Sequence, residues 1–147
     1  MRIDGERRFD APPEQVFALL TDPAFLVSAL PGIERWDLRD RDRWTAVMRP
    51  PVPLSPRLKL DFTVVDRREP EHALVRVNGG AFGSGAVVES DFDLAPDDGG
   101  TRMRWRAGIE LSGMLAALGR SSLEPVAKRQ AERMLDALAR SVEARAR

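Results

Sequence analysis

His72 is the only histidine in the chain, and it stands in "REPEHAL" close to Glu69 and Glu71. An imidazole beside carboxylates can transfer protons when a cleft holds it against a nucleophile or substrate. Here the stretch is a charged turn entering a strand, and it reads as solvated. There is no cysteine, and one histidine without thiolates does not furnish a usual zinc or transition-metal ligand set. Glu89, Asp91, Asp93 and Asp61 each alternate with apolar neighbours, so they belong on a wet face. No carboxylate pair converges on an interior, as glycosidase or aspartyl-dyad chemistry requires. The serines lack the spacing of a nucleophile elbow.

The glycine-rich "GGAFGSG" (79–85) has the composition of a phosphate cradle. Such a cradle needs a helix N-terminus after it to face the anion. A strand pattern follows instead, and no Lys-Ser or Lys-Thr pair is present. The stretch is expected to be a loop or bulge on a sharply curved strand.

Composition excludes further classes. Lys plus Arg equals Asp plus Glu at 23 each, so no net charge calls for nucleic acid or an anionic membrane. The N-terminal "MRIDGERRFDA" lacks the apolar run of a signal peptide, and no apolar run approaches the roughly 18 residues of a membrane span. A soluble, cytoplasmic protein of one domain, 1–147, is expected.

The elements that would position any site follow from periodicity. Arg2–Asp10 reads as a strand. "APPEQVFALL" then reads as a short helix, with Val16, Phe17 and Leu20 on one stripe. "DPAFLVSALPG" (22–32) is a second one, capped by Asp22, started by Pro23 and ended by Pro31-Gly32. Six strand patterns come next. "IERWDL" and "RWTAVM" flank the turn "RDRD", and "PRLKLDFTVV" alternates cleanly. "HALVRVN", "GAVVESDFDL" and "TRMRWRAGIEL" do the same, with "PDDGG" (96–100) turning between the last two. "SGMLAALG" reads as a helical lead-in. Leu123 through Val142 then recur at three and four residues, as in a long amphipathic helix. Ser121 with Glu124, or Ser122 alone, offers its cap, with a break near 119–122.

The fold class expected is α+β: a curved antiparallel sheet of about seven strands wrapped around a long C-terminal helix. Two short helices after the first strand would plug one end, which explains why residues 22–32 form so brief and apolar a helix.

"DPAFLVSALPG" (22–32), "GGAFGSGAVVESDFDLAPDDGGTRMRWRAGIELSGMLAALG" (79–119) and the long helix after them resemble the carbon monoxide dehydrogenase G-subunit family. That family lies within the START-like (SRPBCC, polyketide cyclase) helix-grip superfamily. The resemblance spans nearly the whole chain. It implies a lipid- or quinone-like ligand held between sheet and helix, and an accessory role to a carbon monoxide dehydrogenase-type redox enzyme or a membrane surface. It implies no cofactor.

On that reading the inward side chains line a pocket: Trp44 and Met48, Leu60 and Phe62, Val75 and Val77, Val88 and Phe92, and Trp105 and Ile109 from the strands. Phe82 would border the mouth, and Met114, Leu118, Leu123 and Met134 would come from the helices. Ordinary core packing explains any single one of them better; as a set, on the resemblance, they favour a pocket. Asn78, Ser84, Ser90 and Gln130 lie near the same faces and offer polar contacts. The "RPPVPLSP" loop (49–56) reads as a stiff connector. Two other functions remain open: a polyketide cyclase or dehydratase, which needs polar groups converging in the pocket, and an interaction module with a filled core.

Overall fold

The computed structural model describes residues 1–49, 56–81, 83–117 and 120–145. The chain begins with β1 (Arg2–Phe9), α1 (Pro13–Leu20) and α2 (Pro23–Ser28). Six strands follow: β2 (Ile33–Asp40), β3 (Arg43–Met48), β4 (Leu58–Arg68), β5 (His72–Ala81), β6 (Ser84–Asp97) and β7 (Gly100–Ser112). The last elements are α3 (Met114–Ala117) and α4 (Arg120–Arg145).

All seven strands form one antiparallel sheet in the order β1-β7-β6-β5-β4-β3-β2. Strands β2 to β7 follow one another as hairpins, and β1 closes onto β7. The β6–β7 turn is tight because Asp98 and Gly99 both take positive φ, +52° and +82°. This is the backbone handedness that two-residue hairpins favour.

The two short helices form for the reasons their sequences carry. Asp22 Oδ1 accepts the Ala24 amide at 3.1 Å, and Pro23 occupies the first turn of α2, where its missing N–H costs nothing. The helix stops at Ser28, earlier than Pro31-Gly32 required. Gly32 then takes φ +78°, where a Cβ would fall on the Arg49 carbonyl oxygen. Both helices bury their apolar stripes: Val16, Phe17, Leu19 and Leu20 from α1, and Phe25, Leu26 and Val27 from α2. These close one end of the curved sheet.

Several boundaries differ from the sequence expectation. β4 continues through Asp66–Arg68, although these residues carry no apolar alternation; cross-strand pairing with Leu74, Ala73 and His72 holds them. The glycine-rich stretch is mostly strand. Its ladder runs through Gly79↔Ala86 and Gly80↔Gly85 to Ala81↔Ser84, so it is not a loop there. A Cβ at Gly79 would meet the end of the Leu60 side chain at 2.7 Å, so any larger residue there requires Leu60 to shift. α4 begins at Arg120, so Ser121 and Ser122 lie inside the helix rather than at its cap position. The expected break at 119–122 and most of the proline-rich connector fall partly or wholly outside the described residues.

Candidate functional site

The inner face of the sheet is a set of cross-strand rows. One runs Trp44, Phe62, Val77, Val88, Ile109 from β3 to β7. Its β3–β4 end is closed: Trp44 is 1% exposed, Phe62 is 3% exposed, and their rings stack. Its other end is open, since Val77, Val88 and Ile109 are only half-buried. The neighbouring row ends in Gly79, Ala86 and Leu111, all small or half-buried.

α4 shows the same gradient along its length. Leu135, Leu138, Ala139 and Val142 are buried in the core. Towards its start, Leu123, Ala127, Ala131 and Met134 are half-buried, and Val126 is exposed. The C-terminal half of the helix is therefore packed down, and the N-terminal half is not. Among the described residues three polar contacts anchor the helix to the rest of the chain, one of them the Asp10 amide donating to Glu143 Oε2 at 3.1 Å. Arg7 Nη1 bonds Asp136 at 2.8 Å, and Gln130 Nε2 donates to the Ala29 carbonyl at 2.9 Å, tying α4 to the end of α2.

Of the residues singled out in the sequence, Trp44, Leu60, Phe62, Val75 and Phe92 sit in the closed core. Met48, Val77, Val88, Trp105, Ile109, Leu123 and Met134 are half-buried. Phe82 and Leu118 lie outside the described residues, and Met114 is placed only as the first residue of α3. Ser84 and Ser90 are half-buried and share the strand parity of Val88 and Phe92. Asn78 is exposed on the outer face, opposite Asp61 and Val87, and so cannot serve the inner one. Gln130 is engaged by backbone.

Two arginines also turn inward, which period-two reading did not single out. Arg67, with a side chain 15% exposed, reaches Asp42 at 2.6 Å and the Thr21 hydroxyl at 3.1 Å. It bolts the β2–β3 turn to the end of α1. Arg7 lies 5.8 Å above the Phe9 ring while holding Asp136.

The outer face is charged and paired. Arg106 meets Asp91 at 3.2 Å, Arg76 meets Glu89 at 3.3 Å, and Arg102 bridges Glu6 and Asp97. Glu6, Glu34 and Asp40 have carboxyl pKa values below the ordinary range, chiefly through hydrogen bonds from Arg102, Arg57 and Arg43 respectively.

His72 is not free in a solvated turn. Its Nδ1 lies 2.9 Å from Asp93 and 3.4 Å from Asp91, and its Nε2 lies 3.6 Å from Asp66. His72, Asp91 and Asp93 could together ligate a cation by spacing. Arg106 already lies within 3.9 Å of both aspartates and acts as their counter-charge. Linear spacing hid this cluster, because the β5–β6 register sets His72 opposite Asp93. A groove of about 480 Å³ also opens on this outer face, between Leu74, Val87, Glu89, Arg106 and the β1 backbone. Ile109 alone of the sequence candidates borders it.

A curved seven-stranded sheet gripping one long helix, with two short helices after the first strand, is the START-like helix-grip fold. The model of the CoxG family, the G subunit of carbon monoxide dehydrogenase, matches residues 5–143, and the chain belongs to that family. A conserved protein from Geobacillus kaustophilus superposes with a TM-score of 0.87 at 23% identity, covering 98% of this chain and 96% of that one. A START superfamily protein from Mycobacterium smegmatis gives 0.73 at 14% identity, covering 97% of each. A Thermus thermophilus protein gives 0.70 at 21% identity, covering 100% of each. At these identities the likeness is one of fold. No curated protein matches the chain. Among the described residues, no helix is long and apolar enough to cross a membrane.

Proposed function

We propose that the protein holds a lipophilic small molecule, lipid- or quinone-like, between the open end of the inner sheet face and the N-terminal half of α4. On this reading it serves as a cytoplasmic accessory factor to a redox enzyme of the carbon monoxide dehydrogenase type. The observation that supports this reading is that Val77, Val88 and Ile109 on the inner sheet face are only half-buried, as are Leu123, Ala127, Ala131 and Met134 on the N-terminal half of α4. Apolar side chains left part-exposed on an inward face lose little by accepting an apolar guest. Covering each 100 Å² would yield about 2.5 kcal/mol before the costs of association. Family membership supports the accessory role.

A cyclase or dehydratase would need ionisable groups free to act in the same space. The inward arginines, Arg7 and Arg67, are each held by a carboxylate, which favours binding over catalysis.

The test is native mass spectrometry on protein purified without detergent, with organic extraction of the same sample. A reproducible added mass matched by a lipid or quinone in the extract is expected. Val88→Asp should lose that mass while its melting temperature stays within a few degrees of the parent. Retention of the ligand by a folded Val88→Asp variant would move the site elsewhere. A clean apo mass for the parent, unchanged after incubation with quinone or lipid, would overturn the carrier reading.

A further inference from the structure

β2 is the last strand of the sheet, and nearly all of it is exposed. Edge strands are usually guarded by charge, because their free backbone groups invite another strand. Register shifts against β3 between Ile33 and Arg35 and between Leu38 and Asp40 also guard the two ends of β2, but the regular stretch 35–38 between them is guarded incompletely. Trp36 and Leu38 prolong the inner rows Trp36–Ala46–Leu60 and Leu38–Trp44–Phe62 beyond the core, and they are 38% and 59% exposed. On the opposite face stand Arg35 and Asp37, and Arg39 follows at the register shift between Leu38 and Asp40. The flanking charges are satisfied within the chain, Glu34 by Arg57 at 2.7 Å and Asp40 by Arg43 at 2.8 Å. Among the described residues, the side chains of Arg35, Asp37 and Arg39 have no hydrogen bond or ion pair.

These three charges alternate in sign, and that is the pattern a strand needs to pair with its own copy. In an antiparallel pair about a twofold axis, the residue numbers set opposite each other have a constant sum. An axis at Trp36 sets Arg35 against Asp37 of the second copy, twice over, and stacks the two Trp36 side chains on the other face. Its two Arg35–Asp37 pairs fall wholly within the regular stretch 35–38, between the two register shifts. An axis at Asp37 would set Asp37 against itself and Arg35 against Arg39, which like charges oppose. An axis at Leu38 also pairs opposite charges, Asp37 with Arg39, but runs the pair across the register shift between Leu38 and Asp40.

We propose that β2 is a self-association edge. Two copies join antiparallel about an axis at Trp36, making one continuous fourteen-stranded sheet whose register is chosen by the Arg35–Asp37 pairs. Such an interface is isologous. It is smaller than the roughly 800 Å² per partner of a standard stable complex, so the dimer is concentration-dependent.

The test is sedimentation velocity on the full chain from micromolar to submillimolar concentration. The parent should move from 16.4 kDa towards twice that mass as concentration rises. Asp37→Arg should remain monomeric, with circular dichroism and melting unchanged because the side chain is exposed. Combining Arg35→Asp with Asp37→Arg restores opposite charges about Trp36 but not about Leu38, so the double variant should dimerise again. A parent that stays monomeric throughout would overturn the proposal, as would an Asp37→Arg variant that still dimerises. A double variant that stays monomeric would overturn the register.

Discussion

Trp44 and Phe62 face each other across β3 and β4 with ring centroids 5.3 Å apart and planes inclined by only 12°. The offset stack fills the closed end of the inner face. Trp44 does so at a cost, because its buried indole Nε1 has no hydrogen-bond partner. An unpaired buried donor costs about 1–3 kcal/mol. Trp44→Phe should therefore be nearly neutral, since it keeps most of the stack and deletes the orphan donor. Trp44→Ala should lose about 3–5 kcal/mol to the cavity. Urea unfolding of both variants measures this, and equal losses would refute the orphan-donor argument.

Gly5 lies directly under the Trp105 indole on the neighbouring strand. A Cβ at Gly5 would approach the ring to 2.8 Å. Gly5→Ala should lower the melting temperature by several degrees, because either the ring or β1 must shift. A second change, Trp105→Leu, should recover part of that loss. Additive losses in the double variant would mean the two positions are uncoupled.

Arg67 holds Asp42 and the Thr21 hydroxyl from an almost buried position. Arg67→Met keeps the apolar stem and removes both contacts. It should destabilise by about 1–3 kcal/mol, less than a fully buried pair because Asp42 keeps access to water. Thermal denaturation reads the effect. The companion Asp42→Asn should cost at least as much, since it leaves the nearly buried Arg67 guanidinium without its close carboxylate.

The depressed carboxyl groups of Glu6, Glu34 and Asp40 set a pH dependence. Their folded pKa values lie below the unfolded ones, so the folded state binds fewer protons. The stability they contribute is present above their unfolded values of 4.5 and 3.8, and it is lost as pH falls through the folded values. All three are surface groups, so the effect is small and screened by salt. Melting temperature should fall as pH drops below these unfolded values, and Arg102→Gln should flatten part of that fall. No change in slope would remove Glu6 from the account.

Gln130 ties the less packed half of α4 to α2 through the Ala29 carbonyl. Gln130→Ala should speed amide hydrogen exchange over residues 123–134 while leaving 135–142 protected. Uniform acceleration along the helix would show that α4 opens as one unit.

Much of this fold was legible because its local signals agree. Leu60 and Phe62 alternate with Lys59 and Asp61. Asp22 and Pro23 open a helix as they would anywhere. Leu135, Leu138 and Val142 keep the helical period. What resisted reading depended on pairing. The three aspartates around His72 come from β4 and β6, and only the register brings them together. Asn78 is an exception, for the alternation that turns Val77 inward already turns Asn78 outward. Asp66–Arg68 extend β4 through partners that local sequence does not encode. The candidate pocket was legible as an apolar face. Which part of that face is closed and which half-open is a property of how far α4 packs down, and no spacing rule carries it.

The strand order also dictates when the first strand can find its place. β2 through β7 form by successive neighbouring hairpins, whereas β1 pairs with β7, Arg2 lying opposite Gly108. Closing so long a loop is entropically slow, and β7 must exist before the closure gains anything. During synthesis, then, β1 emerges from the ribosome ahead of the other strands and waits, unpaired, until nearly the whole sheet has been made. Pulse-labelled hydrogen exchange should find Ile3–Phe9 protected last, and early protection there would reverse the sequence of events. The strand made earliest is the one that completes the architecture.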